Sequence, residues 1–290
     1  MAQTIDNINW YPGHMKKTRE LIRENLKMVD AVIEVTDARI PVSSRNPLID
    51  EILGNKPRII ALNKSDLADG AACKGWISWF EQQGFPAVSM NANSGSGIKD
   101  LLRILERMER EKNASSAVKR PFRLMIVGVP NVGKSSLINR MTGRKSAKTG
   151  DKPGVTRGKQ WIKLSNGMQL LDTPGILWPK FEDPKAGVNL AFCGSIRDEI
   201  MDLPSLALEL IGVLSQHYPV LLSQRYKLEE IGEEPLQTME AMAVKRGCIL
   251  PGKRIDYERI GRLVLDEFRA GKIGRITLEQ PPAPADGEQR

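Results

Sequence analysis

Gly128-Val129-Pro130-Asn131-Val132-Gly133-Lys134-Ser135-Ser136 joins a glycine-rich turn to a lysine and a hydroxyl residue, at a spacing that can wrap a diphosphate. Glycines at both ends let the backbone come close to phosphate oxygens, with several N–H groups pointing inward. A helix opening near Lys134 would add its positive N-terminus. Lys134 would neutralise charge on the β- and γ-phosphates, and the Ser135 hydroxyl would ligate Mg2+. Further along, Asp172-Thr173-Pro174-Gly175 places a second acidic anchor for the Mg2+ shell at Asp172 and a backbone N–H for the γ-phosphate at Gly175. Thr156 lies between these motifs in a Gly-containing loop. There it could give a second hydroxyl to Mg2+ when a γ-phosphate is present, so the loop would order with the triphosphate and loosen without it.

Asn63-Lys64-Ser65-Asp66 selects the base. A carboxylate at Asp66 can accept hydrogen bonds from guanine N1–H and the 2-amino group, and adenine offers neither donor. Asn63 is expected on the base edge and Lys64 over its face. Ser89-Met90-Asn91-Ala92 ends another apolar run and supplies the remaining base-side loop, with Asn91 and Ala92 as its contacts. The substrate read from these motifs is GTP. The guanine motif precedes the phosphate loop, the reverse of the ordinary order, so the fold has been opened and rejoined elsewhere.

The motifs need a scaffold that delivers them to one edge. Apolar runs alternate with helical stretches, which predicts an α/β fold with a mostly parallel sheet. Six strands are readable, at 31–37, 58–63, 87–91, 123–129, 160–165 and 168–172. The last two flank Asn166-Gly167, a hairpin signal, so one edge strand should be antiparallel. Leu21, Ile22, Asn25, Leu26 and Val29 share one face at helical spacing, predicting an amphipathic helix from near His14. Residues 111–119 read as the polar linker that joins the old ends. After Trp178 strand-like alternation stops, and apolar stripes at 204–214, 236–244 and 257–268 predict a small all-helical domain. The expected organisation is 1–180 as the permuted nucleotide domain, 181–279 as a helical RNA- or ribosome-binding domain, and 280–290 as a disordered tail.

Charge narrows the partners. Net charge is +8 over 290 residues. Residues 180–290 hold 15 basic and 18 acidic residues, so the positive excess lies in the first 179. It is densest from Arg140 to Lys163, where Asp151 is the one acidic residue. That run reads either as a solvated face or as a contact for a polyanion, most simply RNA. Residues 245–275 carry nine basic residues against four acidic ones, giving the helical domain a basic side as well. Cys73, Cys193 and Cys248 are scattered, which suits reduced thiols in a cytoplasmic protein. No apolar run reaches membrane-spanning length, and no signal region opens the chain, so no membrane partner is expected.

The motif order resembles the circularly permuted GTPases. Trp10-Tyr11-Pro12-Gly13-His14-Met15, Asp37-Ala38-Arg39-Ile40-Pro41 and Ser44-Arg45-Asn46-Pro47 narrow the resemblance to the ribosome biogenesis GTPase A group, of the bacterial YlqF type. It covers about residues 8–178. It implies a cytoplasmic, monomeric factor that binds a late precursor of the large ribosomal subunit and hydrolyses GTP during its maturation. Many GTPases place a water-orienting Gln directly after the Gly of this last motif; here that position is Ile176. The resemblance directs the role instead to His14, for which helix capping or an RNA contact are the alternatives. It also implies K+ coordination by Asn131, beside the simpler role of capping the phosphate loop. Two rival readings are an RNA-binding protein gated by nucleotide, with hydrolysis incidental, and a small-subunit factor with the same permutation.

Overall fold

The computed structural model describes residue 20 and residues 22–114, 120–143, 161–171 and 183–282. His14, Thr156, Asp172, Gly175 and Ile176 therefore lie outside the described residues, as does most of the basic run from 140 to 163. Two compact units are present. One holds the described residues up to 171 together with 279–282, and the other holds 183–278.

The first unit is built on β1 (Ala31–Asp37), β2 (Arg58–Asn63), β3 (Ala87–Ser89), β4 (Arg123–Val127), β5 (Trp161–Lys163) and β6 (Gln169–Leu171). Their order is β3-β2-β1-β4-β6-β5. All neighbours run parallel except β5 and β6, which pair antiparallel through Trp161 and Leu171. All six expected strands exist, and the expected edge strand is the antiparallel one. Every residue of β1 and β2 is buried, as central strands of a sheet covered on both faces should be. β4 is shorter than expected because Gly128, at φ +148°, turns the backbone out of the ladder.

Helices α1 (Pro47–Leu53), α2 (Gly70–Gln82), α3 (Ile98–Ala114) and α4 (Lys134–Thr142) cover the sheet. Asp69 caps α2 by accepting from the N–H groups of Ala71 and Ala72 at 2.8 Å. Trp76 and Phe80 of that helix pack with Ile60, Leu62 and Ala87. On the other face, Ile22, Leu26 and Val29 pack with Val32, Met125, Val127 and Leu171, so the expected amphipathic stretch does cover the sheet. Glu34 is a carboxylate inside β1. It is tolerated because Arg58 and Arg45 pair with it at 3.0 and 3.3 Å.

The second unit contains α5 (Pro184–Phe192), α6 (Leu203–His217), α7 (Pro219–Tyr226), α8 (Pro235–Arg246) and α9 (Tyr257–Arg269). Proline sits in the first turn of the first four, where its missing N–H costs nothing. Asp183, Asp202 and Asp256 cap α5, α6 and α9 with their carboxylates. A Cβ on Gly261 would lie 3.1 Å from Pro204 Cα, so a glycine there lets α9 approach α6 closely. Arg269 binds the Ala191 and Phe192 carbonyls and both oxygens of Asp198, tying α9 to α5. One expectation fails: strand pairing does occur here, as a two-residue hairpin of β7 (Ile249–Leu250) with β8 (Arg254–Ile255). It is too short to show alternation, though Pro251-Gly252 marks its turn.

Residues 279–282 differ from the expected organisation. They join neither the helical unit nor a tail, but pack within the α/β unit. Trp76 Nε1 donates to the Glu279 carbonyl at 2.8 Å, and Pro281 covers Gly75.

Candidate nucleotide site

The carboxyl ends of β2, β1 and β4 carry Asn63, Asp37 and Gly128, at one edge of a parallel sheet where α/β proteins place their ligands. At Gly128 a Cβ would stand 2.4 Å from the Val35 carbonyl oxygen, which no larger residue could meet. Asn131 adopts φ +60°, a left-handed conformation that asparagine accepts more readily than most residues. Gly133, at φ +99°, then opens α4. Ser135 and Ser136 follow in its first turn, partly exposed.

Lys134 is buried and donates its ammonium to the Val129 carbonyl of the same loop. Burial, with the charge of Lys64 adding to it, pushes its pKa down to about 7. A cation so poorly solvated gains strongly from a phosphate oxygen, which is the electrostatic basis of a phosphate cradle.

Asn63 is also buried, and the protein itself uses both polar atoms of its side chain. Its Nδ2 donates to the Val132 carbonyl at 2.7 Å, and its Oδ1 accepts from the Ala92 N–H at 2.9 Å. It therefore braces the phosphate loop against the base-side loop rather than standing free for a base edge. The fit leaves no room for change, since a Cβ on Gly133 would fall 2.2 Å from Asn63 Nδ2. Arg140 of α4 adds a second tie by donating to the Ala92 and Asn93 carbonyls. The first residue of the basic run thus has a structural task inside the site. In the base-side loop, Asn91 Oδ1 accepts from the N–H groups of Asn93 and Ser94, closing a turn. Ser65 joins it through its N–H, bonded to the Met90 carbonyl at 3.1 Å.

Asp66 is exposed and has no protein partner among the described residues, so its carboxylate is available to a base. Lys64 sits at φ +60° and directs its ammonium to Asp37 Oδ2 at 3.0 Å. Asp37 also takes two bonds from the Arg39 guanidinium, at 2.9 and 2.8 Å. Burial alone would raise the Asp37 carboxyl pKa, but Arg39, Lys64 and their hydrogen bonds hold it well below the usual carboxylate range. Asp37 and Arg39 are the site residues that motif reading did not assign a task. The usable signal was an Asp-x-Arg at the carboxyl end of a buried strand, beside the strand that ends in Asn63.

Of the residues expected around the nucleotide, Asn63, Lys64, Ser65, Asp66, Asn91, Ala92, Asn131, Val132, Gly133, Lys134, Ser135 and Ser136 are all described. The structure brings the three loops that carry them to one edge. A phosphate loop braced by a guanine motif that precedes it in sequence defines a circularly permuted P-loop GTPase. Residues 123–237 match the family model described as "50S ribosome-binding GTPase". The chain is 48% identical to Ribosome biogenesis GTPase A of Bacillus cereus over 94% of each sequence. It is 35% identical to mouse Mitochondrial ribosome-associated GTPase 1, covering 98% of this chain and 93% of the relative. GNP-bound YlqF from Thermotoga maritima superposes with a TM-score of 0.65 at 30% identity, over 92% of this chain and 99% of that one. A GDP-bound YlqF structure gives 0.67 at 29% identity, over 91% and 100%. The chain belongs to the ribosome biogenesis GTPase A family, and it is a ribosome-associated GTPase.

Proposed function

We propose that this GTPase binds a late precursor of the large ribosomal subunit, and that the particle stimulates hydrolysis as the subunit matures. The observation that carries the reading is the pairing, in one chain, of a guanine-nucleotide site with a helical unit whose basic residues face solvent. Lys253, Arg254, Arg259, Arg262, Lys272 and Arg275 are exposed there, while Arg225 and Arg246 are committed to Glu267. Exposed cations of this kind suit rRNA phosphates, and the resulting affinity should fall steeply with salt.

Asp66 selects guanine, and Asn63 and Arg140 hold the loops that enclose the nucleotide. Lys134 and the N–H groups around Gly133 take the β-phosphate. Ser135 offers a hard neutral oxygen at the start of α4, which fits Mg2+, and Thr156 and Asp172 would complete its shell. Mg2+ supplies charge neutralisation at the β- and γ-phosphates when bound. Gly175 would hold the γ-phosphate through its N–H. His14 would orient the attacking water, because Ile176 has no hydrogen-bonding group. Asn131 would coordinate K+, placing positive charge where the transition state becomes more negative.

Sedimentation with purified ribosomal particles tests the partner. The protein should travel with large-subunit precursors in a non-hydrolysable GTP analogue, and less with GDP. Equal travel with small subunits would reject the assignment. His14→Ala should cut particle-stimulated turnover while sparing GTP binding, and unchanged stimulated kcat would remove His14 from the mechanism.

A further inference from the structure

Glu279 lies 236 residues from Ser43 in sequence, yet its carboxylate is one of the most fully coordinated in the α/β unit. Its oxygens accept from the Val42 N–H at 2.6 Å, from the Ser43 N–H at 3.0 and 3.3 Å, and from the Ser43 hydroxyl. Two successive backbone N–H groups and a hydroxyl form a concave anion seat, and the chain fills it with its own side chain. Two further contacts fasten the same segment. Trp76 Nε1 holds the Glu279 carbonyl, and Pro281 rests on Gly75, where a Cβ would come within 2.7 Å of its ring.

The seat belongs to the turn that supports the guanine motif. Ser44 Oγ accepts from the Asp37 N–H at 2.9 Å and donates to the Ile40 carbonyl at 2.6 Å, closing residues 37–44 into one unit. That unit carries Arg39 and Asp37, and Asp37 holds the Lys64 ammonium. On the other side of the strap, the last anchor inside the helical unit is Thr277. Its carbonyl accepts from the Tyr218 hydroxyl at 2.8 Å, and its N–H donates to the same oxygen at 3.2 Å. Only Leu278 separates Thr277 from Glu279. The helical unit is therefore attached to the nucleotide unit at both of its ends. One attachment follows the γ-phosphate loop, and the other is a short strap that ends on the guanine side.

We infer that Glu279–Pro282 is a latch through which the helical unit controls release of guanine nucleotide. With the latch seated, the 37–44 turn and Lys64 are held in place and nucleotide leaves slowly. A partner that displaces the helical unit pulls on Leu278, withdraws Glu279, loosens the turn and speeds release. The inference rests on the guanine-nucleotide reading of the site.

Two full-length variants test it, by hydrogen exchange at the Val42 and Ser43 amides and by dissociation of a fluorescent GDP analogue. Glu279→Gln keeps the shape but removes the charge and replaces one of the two acceptor oxygens with an NH2 that faces a donor. Gly75→Ala favours helix formation in α2 while its methyl displaces Pro281. Each variant should speed exchange at the two amides by about tenfold, as expected for losing charge-assisted bonds. Each should also speed GDP-analogue release several-fold. Unchanged exchange would show that no latch exists, and faster exchange with unchanged release would show that it does not govern the nucleotide. If the wild-type protein failed to bind the analogue, the nucleotide reading itself would fall, independently of the latch.

Discussion

Replacing Asn63 with Ala probes the brace that joins the phosphate loop to the base-side loop. The substitution removes one acceptor and one donor from a buried position and leaves the Val132 carbonyl and the Ala92 N–H without partners. An orphaned buried polar group costs about 1–3 kcal/mol, so two together cost about 2–6 kcal/mol. Part of that loss falls on folding. In a protein of this size, a share of about 2 kcal/mol lowers Tm by roughly 4–8 °C. The rest falls on binding, because both loops must be in place for nucleotide to be enclosed, and about 1.4 kcal/mol is a tenfold loss. A drop in GDP affinity of about tenfold or more is expected, measured by fluorescence titration at a temperature where the variant is folded. An Asn63→Ala protein with unchanged Tm and unchanged GDP affinity would refute the brace.

Other consequences follow from the same geometry. Lys134 has a folded pKa of about 7, below its ordinary unfolded value of about 10.4. Between those values the unfolded chain binds more protons, so nucleotide-free stability should rise with pH from about 7 towards 10 and be flat below 7. A phosphate should restore the charge, so GDP binding at pH 8–9 should take up close to one proton at Lys134. Calorimetry in buffers of different ionisation enthalpy measures that uptake, and no uptake would contradict the shifted lysine. Asp66→Asn should lower GDP affinity by about tenfold or more, because the new amide NH2 faces the guanine 2-amino group, and favour xanthosine diphosphate, whose O2 can accept from that amide. GTP turnover should be faster in K+ than in Na+ at equal ionic strength, and equal rates would exclude a K+ role for Asn131.

Much of the nucleotide unit was legible because its signals are local. Strand runs such as 31–37 and 58–63 are mostly apolar, and the phosphate loop follows a strand and opens a helix. The order of Asn63 and Gly128 in the chain gave the permutation directly. What stayed hidden were side chains whose partners lie far off in sequence. Asn63 looks like a base contact until the structure puts Val132, 69 residues on, within its reach. Arg140 looks like surface charge until Ala92 and Asn93 present their carbonyls to it. Glu279 reads as the last residue of the helical domain, and only the fold brings it to Val42 and Ser43. The hairpin at 249–255 escaped because two-residue strands are too short to alternate.

Action on the large ribosomal subunit is the proposed role. The most direct measurement is steady-state GTP turnover by the protein alone, with isolated large subunits or their precursors, and with isolated small subunits, at one salt concentration. Low turnover alone, a clear rise with the large particle and little change with the small one are expected. Equal stimulation by both, or stimulation by the small subunit alone, would contradict it.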